Sequence, residues 1–431
     1  MLPRKQYLNE LIERKDNGRV KIITGLRRSG KSVLLFELYR NILIEQGVRP
    51  EQIISIALDD LANIRYRNPL ELDRHIREQI VDSGRRYYVF IDEIQLVSEM
   101  QNPYVDNPEA RITFVDVVLG LMKIRNADVY ITGSNSKMLS SDILTQFRDR
   151  GDEIRVYPLS FAEFYDAYEE DKRSAWQEYY TYGGMPFVLT LGTHEKKSKY
   201  LRDLFERTYI KDVLERNRIA NDEEVLAILL DILASATGSL TNPSKLANTF
   251  KSERNIAIAS ETIEKYLGYF QDAYLVQKAV RYDVKGKKYI HTPSKYYFSD
   301  PGLRNARLGF RQLEEPHLME NILYNDLVRR GFDVDVGVVE LAVAEDGKKV
   351  RKQLEVDFVV NRGNDRYYIQ SALTVADPEK RAQEIASLLR IPDSFQKTVV
   401  VRDYLNPWKD EHGIQYVGIE QFLRDESILA R

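Results

Sequence analysis

Hydrophobic positions in the first third of the chain occur as short, β-branched runs separated by stretches with helical spacing. Runs of this length are typical of buried strands, and a strand–helix alternation is typical of a parallel sheet. We therefore predict a doubly wound α/β sheet, in which ligands bind beyond the carboxyl ends of the strands. The predicted strands are Val20–Thr24, Ile53–Leu58, Tyr87–Ile91, Asp128–Thr132 and Glu153–Tyr157.

The pattern changes after Pro158 and again near residues 238 and 313. From Leu159 it is helical and rich in aromatic residues, with a break at Gly183-Gly184-Met185-Pro186. From Gly238, two helical patterns precede two β-like runs joined by Lys285-Gly286-Lys287, which is the element order of a winged helix-turn-helix. The prediction is four segments: a sheet domain (1–158), a helical lid or connector (159–237), a winged helix-turn-helix (238–312) and a second α/β domain (313–431).

The residues that follow the first predicted strand carry the most specific pattern in the chain. Gly25 to Ser32 fits the phosphate-loop pattern G-x-x-x-x-G-K-[ST] without a mismatch, and a helical pattern begins at Val33. In such a loop, backbone N–H groups and a helix N-terminus surround a phosphate. The candidate nucleotide-binding residues are Gly25, Arg27, Arg28, Ser29, Gly30, Lys31, Ser32 and Val33.

Two side chains of this loop have predicted chemical roles. Lys31 is expected to reach the β- and γ-phosphates, and the Ser32 hydroxyl to bind Mg²⁺. The predicted cofactors are therefore ATP and Mg²⁺, with ATP taken as the default nucleotide of the fold.

A second motif ends the predicted strand Tyr87–Ile91, where Asp92 and Glu93 follow directly. In phosphate-loop ATPases an aspartate at this strand end holds the Mg²⁺ shell. Glu93 is the candidate general base for the attacking water. Two acids facing solvent are common in isolation, but here they come about 60 residues after a phosphate loop with a further strand between.

The fourth predicted strand runs into Gly133-Ser134-Asn135-Ser136. A polar residue at this strand end would sense the γ-phosphate or position the attacking water. An ordinary helix N-cap explains the same residues, since Ser and Asn are preferred caps. The local sequence leaves both interpretations open.

Composition excludes several classes of site. The 431 residues contain no cysteine, which excludes disulfides, thiolate metal sites and a cysteine nucleophile. Five histidines scattered along the chain do not suggest a structural zinc site. No apolar run approaches the length of a membrane span, and the first residues lead into no secretory segment, so we expect a cytoplasmic protein without a membrane partner.

The charge is unevenly distributed. Residues 238–312 contain 13 Lys and Arg against 6 Asp and Glu, whereas the whole chain has a net charge of −3. A basic segment in an acidic protein is a candidate surface for double-stranded DNA. Three acids, Glu261, Glu264 and Asp272, would repel phosphate, so a protein-contact module stays an alternative. The candidate contacts are Thr262, Lys265 and Tyr269 on the second helix and Lys285, Lys287 and Lys288 on the hairpin.

Taken in order, these pieces resemble a prokaryotic family of AAA-type ATPases, near the STAND branch, with a C-terminal domain of unknown function. The resemblance covers nearly the whole chain. The motifs that carry it are Gly25–Ser32, Phe90-Ile91-Asp92-Glu93, Ile131-Thr132-Gly133-Ser134-Asn135, Phe147-Arg148-Asp149-Arg150-Gly151, Pro158-Leu159-Ser160-Phe161 and Glu355-Val356-Asp357-Phe358.

The resemblance implies further site residues. It implies that Ser134 or Asn135 is the sensor at the fourth strand, and that Arg148 or Arg150 is an arginine finger. Such an arginine stabilises charge on the phosphoryl group across a subunit boundary, which would make the protein a homo-oligomer. A surface arginine beside neighbouring aspartates is the alternative.

The last segment resembles the core of a PD-(D/E)xK nuclease. That active site needs carboxylates holding Mg²⁺ and a lysine, usually as E-x-K on the strand after the Asp. Glu320 and Asp357 fit the first two positions, but Gln370-Ser371-Ala372 stands where E-x-K is expected. Lys380, on the next predicted helix, could replace the missing lysine only if the catalytic lysine had moved to another element of the fold. The segment is interpreted as a nuclease fold without cleavage chemistry, kept for binding or assembly.

The first functional hypothesis is an ATP-hydrolysing enzyme that couples nucleotide state to conformational change and acts on DNA. A nucleotide-operated switch or scaffold that binds a protein partner is the alternative. An ATP-dependent nuclease is disfavoured because the E-x-K residues are missing.

Overall fold

A computed structural model describes residues 2–133, 147, 150–217, 219, 223–345 and 348–429. The chain divides into two compact units. The first comprises residues 1–157 with Asp272–Tyr274, and the second comprises 158–271 with 275–431. Each unit is described by itself below.

The first unit contains a five-stranded parallel sheet in the order β2-β3-β6-β1-β7, which confirms the predicted doubly wound α/β fold class. A short antiparallel pair of strands at residues 100–101 and 111–112 lies outside this sheet. The strands are β1 (Val20–Thr24), β2 (Ile53–Ala57), β3 (Tyr87–Asp92), β4 (Met100–Gln101), β5 (Arg111–Ile112), β6 (Ala127–Thr132) and β7 (Gly151–Arg155).

The helices of this unit connect the strands of the parallel sheet. The helix after β1 is continuous, with α-helical ends and a π-helical middle. The helices are α1 (Lys5–Glu13), α2 (Lys31–Val33, π-helical Leu34–Tyr39, Arg40–Glu45), α3 (Pro69–Gln79) and α4 (Phe114–Leu121).

Consecutive residues of the central strands contribute to two different hydrophobic cores. Val89 and Ile91 of β3 belong to one cluster, whereas Tyr88 and Phe90 belong to the other. Successive side chains of a strand point to opposite faces, so helices cover both faces of this sheet. This two-sided burial explains why its strands have continuous apolar runs rather than an alternating pattern.

The second unit begins with helices, as its sequence predicted. Asn242 caps one of them, because its side chain accepts the Lys245 N–H at 2.7 Å. The helices are α5 (Phe161–Ala167), α6 (Ala175–Tyr182), α7 (His194–Leu204), π-helical Phe205–Ile210, α8 (Lys211–Asn217), α9 (Glu223–Ser235), α10 (Pro243–Arg254) and α11 (Ser260–Asp272).

Strands and further helices complete this unit. An eight-stranded sheet has the order β14-β15-β13-β12-β11-β10-β8-β9. Its elements are β8 (Val276–Asp283), β9 (Lys288–Phe298), α12 (Pro301–Arg307), α13 (Glu315–Arg329), β10 (Asp333–Glu345), β11 (Lys348–Arg362), β12 (Asp365–Ala372), α14 (Pro378–Ile385), β13 (Gln396–Val401), β14 (Trp408–Lys409), β15 (Gln415–Gly418) and α15 (Ile419–Arg424).

The β8–β9 hairpin belongs to the same sheet as the C-terminal strands. Residues Arg281–Asp283 of β8 pair in parallel with Val336–Val338 of β10. The sheet therefore continues across residue 312, where the sequence pattern placed a domain boundary. The four segment boundaries that the sequence suggested remain predictions. In the structure, the β8–β9 hairpin and the C-terminal strands share one hydrogen-bonded sheet.

The break at Gly183-Gly184 has a specific cause in this unit. The Asp300 carboxylate is buried and accepts the N–H groups of Gly184 at 2.7 Å and Leu303 at 3.0 Å. A Cβ on Gly183, whose φ is +73°, would lie 2.1 Å from Asp300 Oδ1. Only glycine leaves room for this carboxylate, so the helix α6 has to end there.

Candidate functional site

The loop between β1 and α2 has a backbone that its glycines make possible. Gly25 has φ +129° and Gly30 has φ +97°, values that side-chain-bearing residues rarely adopt. A Cβ on Gly25 would lie only 2.1 Å from the Val156 carbonyl oxygen, on the segment that follows β7. The loop is therefore pressed against the neighbouring strand end, and its shape depends on glycine at this position.

Lys31 begins α2 with its side chain folded into the loop. Its ammonium donates to the carbonyl oxygens of Gly25 and Leu26, both at 3.1 Å, and the residue is 5% exposed. Ser29 is buried, and its hydroxyl has no hydrogen-bond partner among the residues that the structure describes. A buried ammonium and an unsatisfied hydroxyl in a glycine loop are suited to a phosphate group.

The other loop residues face outward. Arg27, Arg28, Ser32 and Val33 are exposed, so their side chains are accessible to a ligand or a partner. Arg28 has a left-handed backbone, with φ +68°, and contributes to the loop's curvature.

Asp92 lies at the carboxyl end of β3, where the neighbouring strand β6 also ends. The Thr132 hydroxyl donates to Asp92 Oδ1, and the Glu93 N–H donates to the same hydroxyl at 3.1 Å. Both Asp92 and Thr132 are buried. One threonine therefore connects the two acidic residues that the sequence identified as candidates.

Glu93 turns away from the strand direction. Its φ is +51°, in the left-handed region that is uncommon for residues other than glycine. The Gln95 side-chain amide donates to Glu93 Oε2, and Glu93 is half-buried. A strained backbone at a strand end is a feature that occurs at functional sites.

Sequence reasoning did not identify Thr132 or Gln95 as site residues. The available signal for Thr132 was its place as the last residue of a predicted strand, next to the segment proposed to hold a sensor. Nothing in the local sequence indicated Gln95, whose contact depends on the turn at Glu93.

Not every predicted site residue lies at the carboxyl edge of the parallel sheet, where Asp92 and Thr132 lie. Arg150 is exposed, and its carbonyl accepts the N–H of Val20, the first residue of β1, at 2.9 Å. It therefore lies at the amino edge of the parallel sheet, opposite to Lys31 and Asp92. Asn135 and Arg148 lie outside the described residues.

A family model described as an AAA domain matches residues 17–165, which include all five strands of the parallel sheet. A second model, described as a domain of unknown function (DUF8612), matches residues 173–314. An uncharacterized protein of Haemophilus influenzae is 33% identical over 428 residues, covering 98% of each chain. This chain belongs to the family of that protein. The first unit of this family member is an AAA-type phosphate-loop domain.

A more distant relative and two solved structures are also similar. An uncharacterized protein of Methanocaldococcus jannaschii is 28% identical over 381 residues, which cover 85% of this chain and 77% of the relative. The ORC2 protein of Aeropyrum pernix, solved as ADPNP–ADP complexes, has a TM-score of 0.38 and 12% identity, over 74% of this chain and 93% of that one. The ORC1 protein of Aeropyrum pernix, solved with DNA, has a TM-score of 0.31 and 14% identity, over 71% and 92%. Similarity at these TM-scores and identities does not indicate a function for this chain.

The basic segment of this family member has the predicted order of elements. Helices α10 and α11 precede the β8–β9 hairpin, and Thr241 forms an isolated bridge with Ser294 of β9. Lys287 and Lys288 at the hairpin turn are exposed, as is Lys265 on α11. Lys285 is also exposed, with its ammonium 3.2 Å from the Glu340 carbonyl oxygen.

Two further observations concern the whole chain as the structure describes it. None of the described helices is long and apolar enough to cross a membrane. Among the same residues, no group of three or more His, Asp or Glu side chains is arranged to hold a metal ion by itself.

Proposed function

We propose that this protein hydrolyses ATP and uses the cycle to change conformation. The observation that supports this proposal is that Lys31 and the Asp92–Thr132–Glu93 group lie at the same edge of the sheet, at the carboxyl ends of the neighbouring strands β1, β6 and β3. A phosphate-binding loop beside two strand-end carboxylates is the arrangement that phosphoryl transfer to water requires.

Each residue has a proposed role. Lys31 and the loop N–H groups bind the β- and γ-phosphates, and Lys31 would exchange its two carbonyl contacts for phosphate oxygens. Ser32 and Asp92 would hold Mg²⁺, which when bound neutralises charge on the phosphates. Glu93 accepts the proton of the attacking water.

Thr132 keeps this constellation in position. Its hydroxyl donates to Asp92 and accepts from the Glu93 N–H, so a shift of one acid is transmitted to the other. We propose that it contributes to the sensor function that the resemblance implied for Ser134 or Asn135, which lie two and three residues further along the chain.

Arg150 has a different proposed role, because it lies at the opposite edge of its own sheet. It cannot reach the nucleotide of its own subunit, so an arginine-finger role requires a second copy of the chain. Mixing Lys31→Ala subunits with Arg150→Ala subunits tests this proposal. Recovery of hydrolysis in the mixture supports a shared site, whereas two inactive proteins that stay inactive when mixed contradict it.

We further propose double-stranded DNA as the polymer on which the cycle acts. Two observations support it: residues 238–312 contain 13 basic and 6 acidic residues, and the lysines of the hairpin turn are exposed. The exposed acids Glu261 and Glu264 on α11 favour the alternative, a nucleotide-operated switch that binds a protein partner.

Steady-state ATP hydrolysis, measured with and without duplex DNA, tests the proposed function. Lys31→Ala serves as the inactive reference. Hydrolysis that DNA stimulates at low salt and that loses this stimulation at high salt supports the DNA proposal. Slow hydrolysis that DNA does not change favours the switch. Equal rates for Lys31→Ala and the unmodified protein would contradict the assignment of the site.

A further inference from the structure

A lysine of the β8–β9 hairpin is buried in the second unit among carboxylates. The Lys295 ammonium is 2.8 Å from Glu320 Oε1 and 2.6 Å from Glu355 Oε1, and its side chain is 4% exposed. The Tyr297 hydroxyl donates to the same Glu320 oxygen at 2.6 Å. Glu320 lies on α13 and Glu355 on β11, so one ammonium joins three elements that are distant in sequence.

A third carboxylate, Asp357, lies two residues after Glu355 on β11. Its Oδ2 accepts the Ser371 N–H at 2.8 Å, and its own N–H donates to Gln370 Oε1 at 3.3 Å. Burial, and then the charge of Glu320, raise the pKa of Asp357 well above its ordinary value, while Lys295 acts in the opposite direction. The acidic cluster is therefore costly unless a cation stays in it.

Lys295 is that cation. Burial alone would lower the pKa of Lys295, but Glu320, Asp357 and Glu355 outweigh it, so the pKa lies above its ordinary value. A buried charge is tolerated when it is paired and hydrogen-bonded, which holds for this ammonium.

Two members of the cluster, Glu320 and Asp357, are the residues that the sequence matched to the Mg²⁺-binding positions of a PD-(D/E)xK nuclease. The residues present do not fit that ion. Gln370 and Ser371, which stand at the acid and the spacer of the expected E-x-K, are both hydrogen-bonded to Asp357. A Cβ on Gly238 would lie 3.2 Å from Glu320 Oε2, so the segment at Gly238 covers this carboxylate.

We infer that the Lys295 ammonium is the permanent cation of the Glu320–Glu355–Asp357 cluster and replaces a divalent metal there. The second unit is then a module without metal and without cleavage activity. Through their contacts with Lys295, Glu320 and Glu355 attach the hairpin strand β9 to α13 and β11. Lys380, the sequence-based candidate for a migrated lysine, is exposed on α14.

Metal binding tests the first part of the inference. Nucleotide-free protein carrying Asp92→Asn, which removes the metal ligand proposed for the first unit, is titrated with Mn²⁺ and followed by electron paramagnetic resonance. The expected result is no Mn²⁺ binding that depends on Asp357. Millimolar-range or tighter binding that Asp357→Asn abolishes would overturn the inference, as would plasmid nicking with Mg²⁺ that the same change abolishes.

The charge of Lys295 is tested by Lys295→Met, with Lys278→Met at an exposed position of the neighbouring strand β8 as the matched control. The expected loss is roughly 5 °C or more in thermal midpoint at pH 8. The groups that face the ammonium are the carboxylates of Glu320, Glu355 and Asp357 and the Tyr297 hydroxyl. The loss should shrink between pH 8 and pH 5, because burial and the charge of Glu320 raise the pKa of Asp357, so this carboxylate takes up a proton as the pH falls and then needs the ammonium less. A loss that is the same at both pH values would mean that the side chain only fills space.

A second variant keeps the test decisive if Lys295→Met does not fold. Lys295→Met combined with Glu320→Gln and Glu355→Gln removes the cation together with two of the charges that it neutralises. The expected result is a folded protein with a midpoint closer to that of the unmodified chain. A triple variant as unstable as the single one would refute the role of Lys295 as the neutralising cation.

Discussion

The Thr132 hydroxyl donates to the Asp92 carboxylate and accepts the Glu93 N–H, so one side chain of β6 contacts both the last residue of β3 and the acid that follows it. Hydrogen bonds to a charged group contribute about 1.5–3 kcal/mol, more than those between neutral groups. The positions of the proposed metal ligand and the proposed base therefore depend on a residue of a different strand.

Thr132→Val keeps the shape of the side chain and removes its hydroxyl. We expect kcat for ATP hydrolysis to fall about 10- to 100-fold, corresponding to the loss of a hydrogen bond to a charged group. The KM for ATP should change less, because the phosphate loop is untouched. Steady-state kinetics measure both constants. Thr132→Ser, which retains the hydroxyl, is the control and should keep most of the activity; an equal loss in both variants would indicate a packing effect.

Glu93→Gln keeps the size of the side chain and removes the proposed base. The expected loss in turnover is about 10²- to 10⁴-fold, the usual contribution of general base catalysis, with nucleotide affinity retained. Hydrolysis rates and binding of a fluorescent ATP analogue are measured on the same sample. The matched control is Glu99→Gln, an exposed acid six residues further along the chain. Unchanged turnover in Glu93→Gln would show that another group activates water.

Asp300 predicts a pH dependence of stability. Burial raises the pKa of Asp300 to about 6, against the lowering effect of N–H groups of Gly184 and Leu303. Its folded pKa lies above the unfolded value of about 4, so its stabilising contribution is complete below pH 4 and is lost as the pH rises through 6. The loss is on the order of 2–3 kcal/mol.

Asp300→Asn should flatten this slope between pH 4 and 6 and lower stability overall, since an amide oxygen cannot accept every N–H that the carboxylate accepts. Urea unfolding at several pH values measures the free energy of unfolding. Asp377→Asn, at an exposed helix cap, is the control and should leave the slope unchanged. An unchanged slope in Asp300→Asn would assign the pH dependence to other acids.

The hairpin lysines predict the salt dependence of DNA binding. Lys287→Glu together with Lys288→Glu should weaken binding to any duplex sequence and reduce the slope of log affinity against log salt by about 2, one for each phosphate that a lysine no longer neutralises. Fluorescence anisotropy of a labelled duplex at increasing salt measures this slope. Lys380→Glu with Lys409→Glu, both exposed in the C-terminal segment, changes the net charge equally. Equal effects of the two double variants would indicate non-specific attraction.

The sequence by itself determined the phosphate loop, the central strands and the acidic strand end. Gly25 to Ser32 are consecutive, and the loop's requirement for glycine is local, so the pattern is readable without the fold. The continuous apolar runs of β1 and β3 likewise predict burial on both faces.

Only the tertiary structure decided which distant residues meet. Thr132 reaches Asp92 because β6 and β3 are paired in parallel, a register that no local pattern encodes. In the sequence Lys295 is one of 13 basic residues between 238 and 312, with nothing to distinguish it, but the continuous sheet and α13 bring Glu320 and Glu355 to it. Local spacing determines the face on which a side chain lies, whereas strand pairing and helix packing determine its partners, and through them its charge state and its function.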